Sequence, residues 1–558
     1  MKKIGIVLFV FFGVFVNGKA QNPISYRNGM VVSAHPESSQ VGVDILKMGG
    51  NAIDAAVAVE LALAVVYPNA GNIGGGGFMI YRSADGQTAA LDYREKAPAQ
   101  ARENMYWDGK GVPITALSMK GGLASGVPGT IAGMVQAHKR YGVLPWKEVV
   151  QPAIDLAEKG FRLTEKQASE FTKYHEVFET YSTQASALTS QVIWSKGDLF
   201  VQADLAQTLK RVQQDGKSGF YEGETARLIV EEMQRGNGMM TLEDLKQYEA
   251  IWRTPIISTY KDLTVISMPP PSSGGIALTA LLQSVEQFPL QQWGFQSEQT
   301  IQVMVEAARR VYADRAKHLG DPDFWEVPQA ELTNKAYNVG RMASMSFQEA
   351  TPSHAIEAGV FDGYESEETT HYVIVDQHGN AVSATTTLND SYGAKVVVGG
   401  AGFLLNNEMD DFSVKPGTPN MYGLIGGKAN AIEGNKRMLS SMTPTILEKK
   451  GQLYLVVGTP GGSTIITSVF QTILNVTEFG MNMQEAVAAP RFHHQWLPDQ
   501  IDFEPQAIDV KVRKALQHKK YVLKERKPYG KVEGILVNED GSYQGGADPR
   551  GDDIAKGY

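Results

Sequence analysis

In the run Glu365-Ser366-Glu367-Glu368-Thr369-Thr370-His371, three carboxylates stand directly before two threonines, and an alternating apolar strand follows. A threonine hydroxyl is a weak nucleophile unless a base sits beside it. Cutting the peptide bond between Glu368 and Thr369 would give Thr369 a free α-amine, whose unperturbed pKa is about 7.7 to 8.0. Such an amine takes up a proton at neutral pH where an amide nitrogen cannot, so one residue would carry both nucleophile and general base. The plain alternative is that threonine is a good strand former, and two at a strand start need no chemistry.

Other chemistry is less well supported. Glu408, Asp410 and Asp411 in NNEMDDF could hold a hard cation such as Ca²⁺. They could equally form a solvated acidic turn, or receive a substrate ammonium, since buried carboxylates need a cationic partner. The glycines of NIGGGGFMIY, residues 72 to 81, lack a following Lys-Ser/Thr and lead into an apolar strand, so close backbone packing fits them better than a phosphate cradle. His493 and His494 are neighbours whose side chains diverge, which favours polar packing over a metal pair. No G-x-S-x-G elbow is present for a serine triad. The chain has no cysteine, which excludes thiol catalysis, disulfides and a lipoprotein anchor.

These residues need a scaffold, and the patterning supplies one. AIDAAVAVELALAVV, opened by Asn51 and stopped by Pro68, is apolar on nearly every face and predicts a helix inside a layered protein. Asp54 and Glu60 within it argue against a membrane span. A helix before it carries Val41, Ile45 and Met48 and ends at Gly49-Gly50. Further helices are expected over 130–141, 145–159 and 297–319, the last striped by Ile301, Val305, Ala308 and Tyr312. From Thr369 onward strands take over: HYVIV and AVSATTT flank the turn DQHGN, and PTILEKKGQLYLVVG reads as a second hairpin. Neither MPPPSSGG (268–275) nor PGTPNMYGLIGG (416–427) behaves as a linker. One α+β body, its sheets covered by helices, is the expected architecture.

Residues 1–20, MKKIGIVLFVFFGVFVNGKA, read as a secretory signal peptide cut before Gln21, with a periplasmic destination. Their apolar stretch is short for a membrane span, which needs about 20 residues. Without Lys2, Lys3 and Lys19, the 52 basic residues become 49 against 61 acidic ones, a balance that disfavours nucleic acid as a partner.

Several segments together resemble one family. TTHY at 369–372, TLN at 387–389, NNEMDDF at 406–412, LSSM at 439–442 and GTPGGS at 458–463 are similar in order and spacing to the γ-glutamyltransferases, also called glutathione hydrolases. GGNAIDAAVA, GGGGFMIY, DYREKAP (92–98) and PRFHHQWLP (490–498) extend the resemblance over almost the whole mature chain.

The resemblance implies a four-layer αββα sandwich of the N-terminal nucleophile hydrolase type, and a precursor that cuts itself between Glu368 and Thr369. The large subunit (21–368) and small subunit (369–558) would form one intertwined domain, a heterodimer needing no metal or organic cofactor. Thr369 would form the acyl-enzyme with γ-glutamyl amides such as glutathione and pass it to water or to an amino acid or peptide acceptor. Thr387 would support the nucleophile, and the Gly461 and Gly462 N–H groups would form the oxyanion hole. Arg94 would hold the substrate α-carboxylate with Ser440 and Ser441, while Asn389, Glu408 and Asp411 would surround its ammonium. Tyr422 would gate the pocket from the loop 416–427. Glu408 stands where relatives carry either Gln or Glu, and Met438 takes the place of a usual proline before the serine pair. The alternatives are a cephalosporin acylase of the glutaryl type with the same fold, or a non-catalytic periplasmic binding protein.

Overall fold

The computed structural model describes residues 24–356, 369–415 and 427–558. The expected leader, Glu368 at the expected cleavage site and the expected gate residue Tyr422 therefore lie outside the described residues.

The strand Thr370–Val375 shows how the layers form. Its side chains alternate between two faces, as the period of a strand requires. Tyr372 and Ile374 point into a core shared with the helix Ala52–Val66, while Val373 and Val375 point into a second core shared with another sheet. Both faces are covered, so this strand is apolar on both sides.

Two seven-stranded antiparallel sheets stack in this way. The first runs Ile554–Gly557, Met30–Ser33, Thr370–Val375, Ala381–Thr387, Gly76–Arg82, Thr88–Asp92 and Ile251–Arg253. The second is built around Leu263–Ser267, Thr445–Lys449, Gln452–Gly458 and Glu533–Val537. Helices Gly274–Val285 and Thr464–Thr477 share the second sheet's core, and Ala52–Val66 lies against the first sheet, giving the order helix, sheet, sheet, helix. In the first sheet Met30–Ser33 pairs with strands from 370–375 and 554–557 on either side, so residues from before and after position 368 are woven into one ladder.

The four glycines before Phe78 have a packing role. A Cβ on Gly74 would lie 2.1 Å from the Leu404 carbonyl oxygen, and one on Gly75 would lie 2.1 Å from that of Thr387. No side chain fits between these backbones, which is the close approach expected from the sequence.

The helix Ala52–Val66 is capped as its sequence suggests: Asn51 Oδ1 accepts from the N–H groups of Ile53 and Asp54, and Asp54 Oδ2 accepts from Asn51 N at 3.0 Å. Helices Thr130–Tyr141 and Trp146–Lys159 and both hairpins stand where the patterning placed them.

Candidate active site

Thr370 pairs with Thr386 at the start of the hairpin, so one further step of the antiparallel register sets Thr369 opposite Thr387. Both threonines line a pocket with about 530 Å³ of empty space, together with Arg94, Asn389, Glu408, Asp411, Ser440, Ser441 and Gly462. Thr387 Oγ1 accepts the backbone N–H of Asn389 at 2.7 Å. That bond holds the hydroxyl at the strand end and leaves its hydrogen to be donated. Asn389 adopts φ +75 there, and its side-chain amide donates to the Asn407 carbonyl at 3.1 Å. The turn thus brings 387–389 against 406–408.

Gly461 and Gly462 precede the helix Thr464–Thr477. Their φ values are +134 and +54, and the first is closed to residues with a side chain. The Gly461 carbonyl accepts from Thr464 N at 3.0 Å and Thr464 Oγ1 at 2.7 Å, and the Gly462 carbonyl accepts from Ile465 N at 3.2 Å. These bonds fix the peptide units that carry the Gly462 and Ser463 N–H groups at a helix N-terminus, where the macrodipole also favours negative charge.

Arg94 follows the strand Thr88–Asp92 and is buried. Its Nη1 lies 2.7 Å from Glu408 Oε2 and 3.5 Å from Glu95 Oε2, and its Nη2 donates to Asp411 Oδ2. The Met438 and Leu439 carbonyls accept from the same guanidinium at 3.3 Å each. Met438 is itself fully buried beside Ala97, Tyr106 and Phe412, so the residue replacing proline is packed.

Burial pushes the Glu408 carboxyl well above the usual range, and Arg94 offsets this only in part because Glu95 and Asp411 compete for it. Burial likewise raises Glu95 to about 8 and moves Asp411 upward. For Arg94, burial is outweighed by Glu408, Asp411 and Glu95, which keep it charged.

Beneath this cluster Asp92 accepts from Arg94 N at 2.9 Å, pairs with Arg253 at 2.7 Å and lies 3.3 Å from Arg437 Nε. Charges from distant parts of the chain therefore tie the Arg94 turn to the segment that carries Ser440 and Ser441.

Of the residues singled out from sequence, ten line this one pocket or the glycine turn beside it: Thr369, Thr387, Asn389, Gly461, Gly462, Arg94, Glu408, Asp411, Ser440 and Ser441. Asp410 does not join them; it accepts from Ser118 and is buried away from the pocket, so the three acidic residues of 408–411 do not converge. His493 and His494 are buried in separate networks, His493 with Thr467 and Gln495 and His494 with Asp499. Burial lowers both, to about 3 and about 4, and keeps them neutral.

The pocket also holds Arg315 and Asn430, which sequence reasoning passed over. Arg315 lies on the helix Glu298–His318, and the available signal was three arginines, 309, 310 and 315, among apolar residues on faces that a single stripe leaves to solvent.

A family profile described as Gamma-glutamyltranspeptidase matches residues 38–558. The glutathione hydrolase proenzyme of Escherichia coli (strain K12) is 47% identical over 545 residues, covering 96% of this chain and 93% of that protein. Among solved structures, a cephalosporin acylase from Bacillus halodurans superposes with a TM-score of 0.85 at 26% identity, covering 99% of each chain. A Helicobacter pylori gamma-glutamyltranspeptidase chain superposes with a TM-score of 0.58 at 42% identity, covering 61% of this chain and 97% of its own.

Proposed function

The chain belongs to the gamma-glutamyltranspeptidase family, and on that premise we propose that it matures by cutting its own Glu368–Thr369 bond and then cleaves γ-glutamyl amides, glutathione included, with Thr369 as nucleophile. It is an enzyme of the glutathione hydrolase and γ-glutamyltransferase kind. The observation that carries the residue assignment is the convergence of Thr369, Thr387 and Gly462 with the Arg94 cluster in one pocket.

In maturation the Thr369 hydroxyl attacks the Glu368 carbonyl carbon, the C–N bond breaks, and an ester to Thr369 Oγ replaces the amide. Water opens that ester, leaving a carboxylate on Glu368 and a free amine on Thr369. The large piece 21–368 and small piece 369–558 stay together because their strands alternate within one sheet.

In turnover the Thr369 amine takes the hydroxyl proton as Oγ attacks the γ-carbonyl, and the proton passes to the leaving amine. Thr387 steadies Oγ, and the N–H groups of Gly461 and Gly462 receive the developing oxyanion, where one donor is typically worth about 3 kcal/mol. Water then gives glutamate, or an acceptor amine gives a new γ-glutamyl compound. Arg94 offers a planar two-pronged donor to the α-carboxylate, with Ser440 and Ser441 beside it. Asn389, Glu408 and Asp411 receive the ammonium. A zwitterion entering here splits the existing Arg94–carboxylate pairs and forms one ion pair with each half.

The leader-like start supports export to the periplasm, and among the described residues no helix is long and apolar enough to cross a membrane. Gating by Tyr422 belongs to the same proposal.

The acylase likeness in fold supplies the second reading. Turnover of a γ-glutamyl anilide against a glutaryl β-lactam separates the two: preference for the anilide is expected, because only that substrate carries the amine that Glu408 and Asp411 would meet. Preference for the β-lactam would replace this reading with the acylase one.

A further inference from the structure

The serine pair at the carboxylate end of the pocket is held by a second arginine. Arg315 reaches inward from the helix Glu298–His318 and is 4% exposed. Its Nη2 donates to Ser441 Oγ at 2.9 Å and its Nε to Ser273 Oγ at 2.9 Å. Ser273 Oγ donates onward to the Ser440 carbonyl at 2.7 Å, and Ser273 N donates to the same oxygen at 2.8 Å. On the other side, Ser440 Oγ accepts from Met442 N at 3.1 Å.

A serine hydroxyl has one hydrogen to give and can accept as well. Arg315 makes Ser441 Oγ an acceptor, and the Met442 N–H does the same for Ser440 Oγ, so each hydroxyl hydrogen is directed away from its protein donor. Both serines line the pocket, as does Arg315 itself. Arg94 meanwhile is bracketed by Glu408 and Asp411, whose carboxylates compete with any anion for its donors.

We propose that Arg315 is a positioning residue for substrate selection: it fixes the Ser441 hydroxyl as a donor and, through Ser273, the Ser440 backbone, so that preference for an α-carboxylate is shared between Arg94 and an Arg315-oriented serine pair. This rests on the γ-glutamyl reading above. It adds a determinant on the large piece that acts through residues on the small one.

The test compares kcat/KM for γ-glutamyl-p-nitroanilide with that for 4-aminobutyryl-p-nitroanilide, which lacks only the α-carboxylate. Arg315→Met should lower the wild-type preference for the carboxylate-bearing substrate by about tenfold or more, and Arg315→Lys, a one-pronged donor, by less. A purely structural role would lower both rates together and leave the ratio unchanged, which would overturn the inference. If neither arginine variant folds, Ser273→Ala takes their place with the same readout, since Ser273 holds Nε from outside the pocket wall. A wild type that ignores the γ-glutamyl anilide would overturn the proposed function and this inference with it. A wild type that strongly prefers it, with variants keeping the ratio, would overturn the inference alone.

Discussion

Arg94 Nη1 lies 2.7 Å from Glu408 Oε2, so the two groups expected to grip opposite ends of a substrate touch each other across the pocket. A second carboxyl, Asp411, meets the same guanidinium, so the one Arg94 charge is shared among buried carboxyls that compete for it.

This pairing predicts a pH response. Burial among competing carboxyls favours the protonated form of Glu408 in the free enzyme, whereas a bound ammonium favours the ionised form. KM for a γ-glutamyl anilide should therefore fall as solution goes from mildly acid to mildly alkaline. Glu408→Gln cannot ionise, so its KM should be roughly tenfold higher where the wild type binds best, and flatter with pH. An unchanged pH profile in the variant would remove Glu408 from ammonium binding.

Gly461 should be the less replaceable of the two glycines. A methyl group there would stand 2.6 Å from Thr464 Oγ1 on a backbone with φ +134. Gly461→Ala is expected to lower kcat by about a hundredfold or more, with KM little changed, because the turn that carries the proposed oxyanion donors must distort. Gly462, at φ +54, sits where alanine is strained less, and Gly462→Ala should cost less in kcat. Steady-state kinetics of both variants check the order.

Glu60 predicts how stability changes with pH. It lies fully buried in the helix Ala52–Val66, where burial raises it from 4.5 to about 8 against the smaller opposing effect of the Thr386 and Tyr372 hydroxyls. The folded protein then binds a proton that the unfolded chain has lost, so this group's contribution is fully present below its unfolded pKa. It declines as pH rises from about 4.5 to about 8. Urea unfolding across that range should show wild type losing stability relative to Glu60→Gln. Parallel curves would contradict the raised value.

Much of this was legible in the sequence, for identifiable reasons. The helix Ala52–Val66 announced itself by an apolar run with an Asn cap, and the hairpins by alternation around Asp376–Asn380 and Lys450-Gly451, because local periodicity and turn chemistry decide such elements. The strands Met30–Ser33 and Ile554–Gly557 were not legible: each has four residues, and their pairing partners lie hundreds of positions away. The pocket residues were named through motif resemblance, but not the way their charges pair. Arg94 was assigned to a substrate carboxylate, and only the packed chain shows it bracketed by Glu408 and Asp411. Arg315 was missed because an apolar stripe places charged positions in solvent, whereas this helix is buried all round from Thr300 to Arg315.

The most direct measurement is the intact mass, with N-terminal sequence, of the purified active protein. Two chains should be found, the smaller beginning at Thr369, and Thr369→Ala should remain a single inactive chain. A fully active preparation consisting only of the uncut chain would contradict the assignment of Thr369 as a nucleophile freed by cleavage.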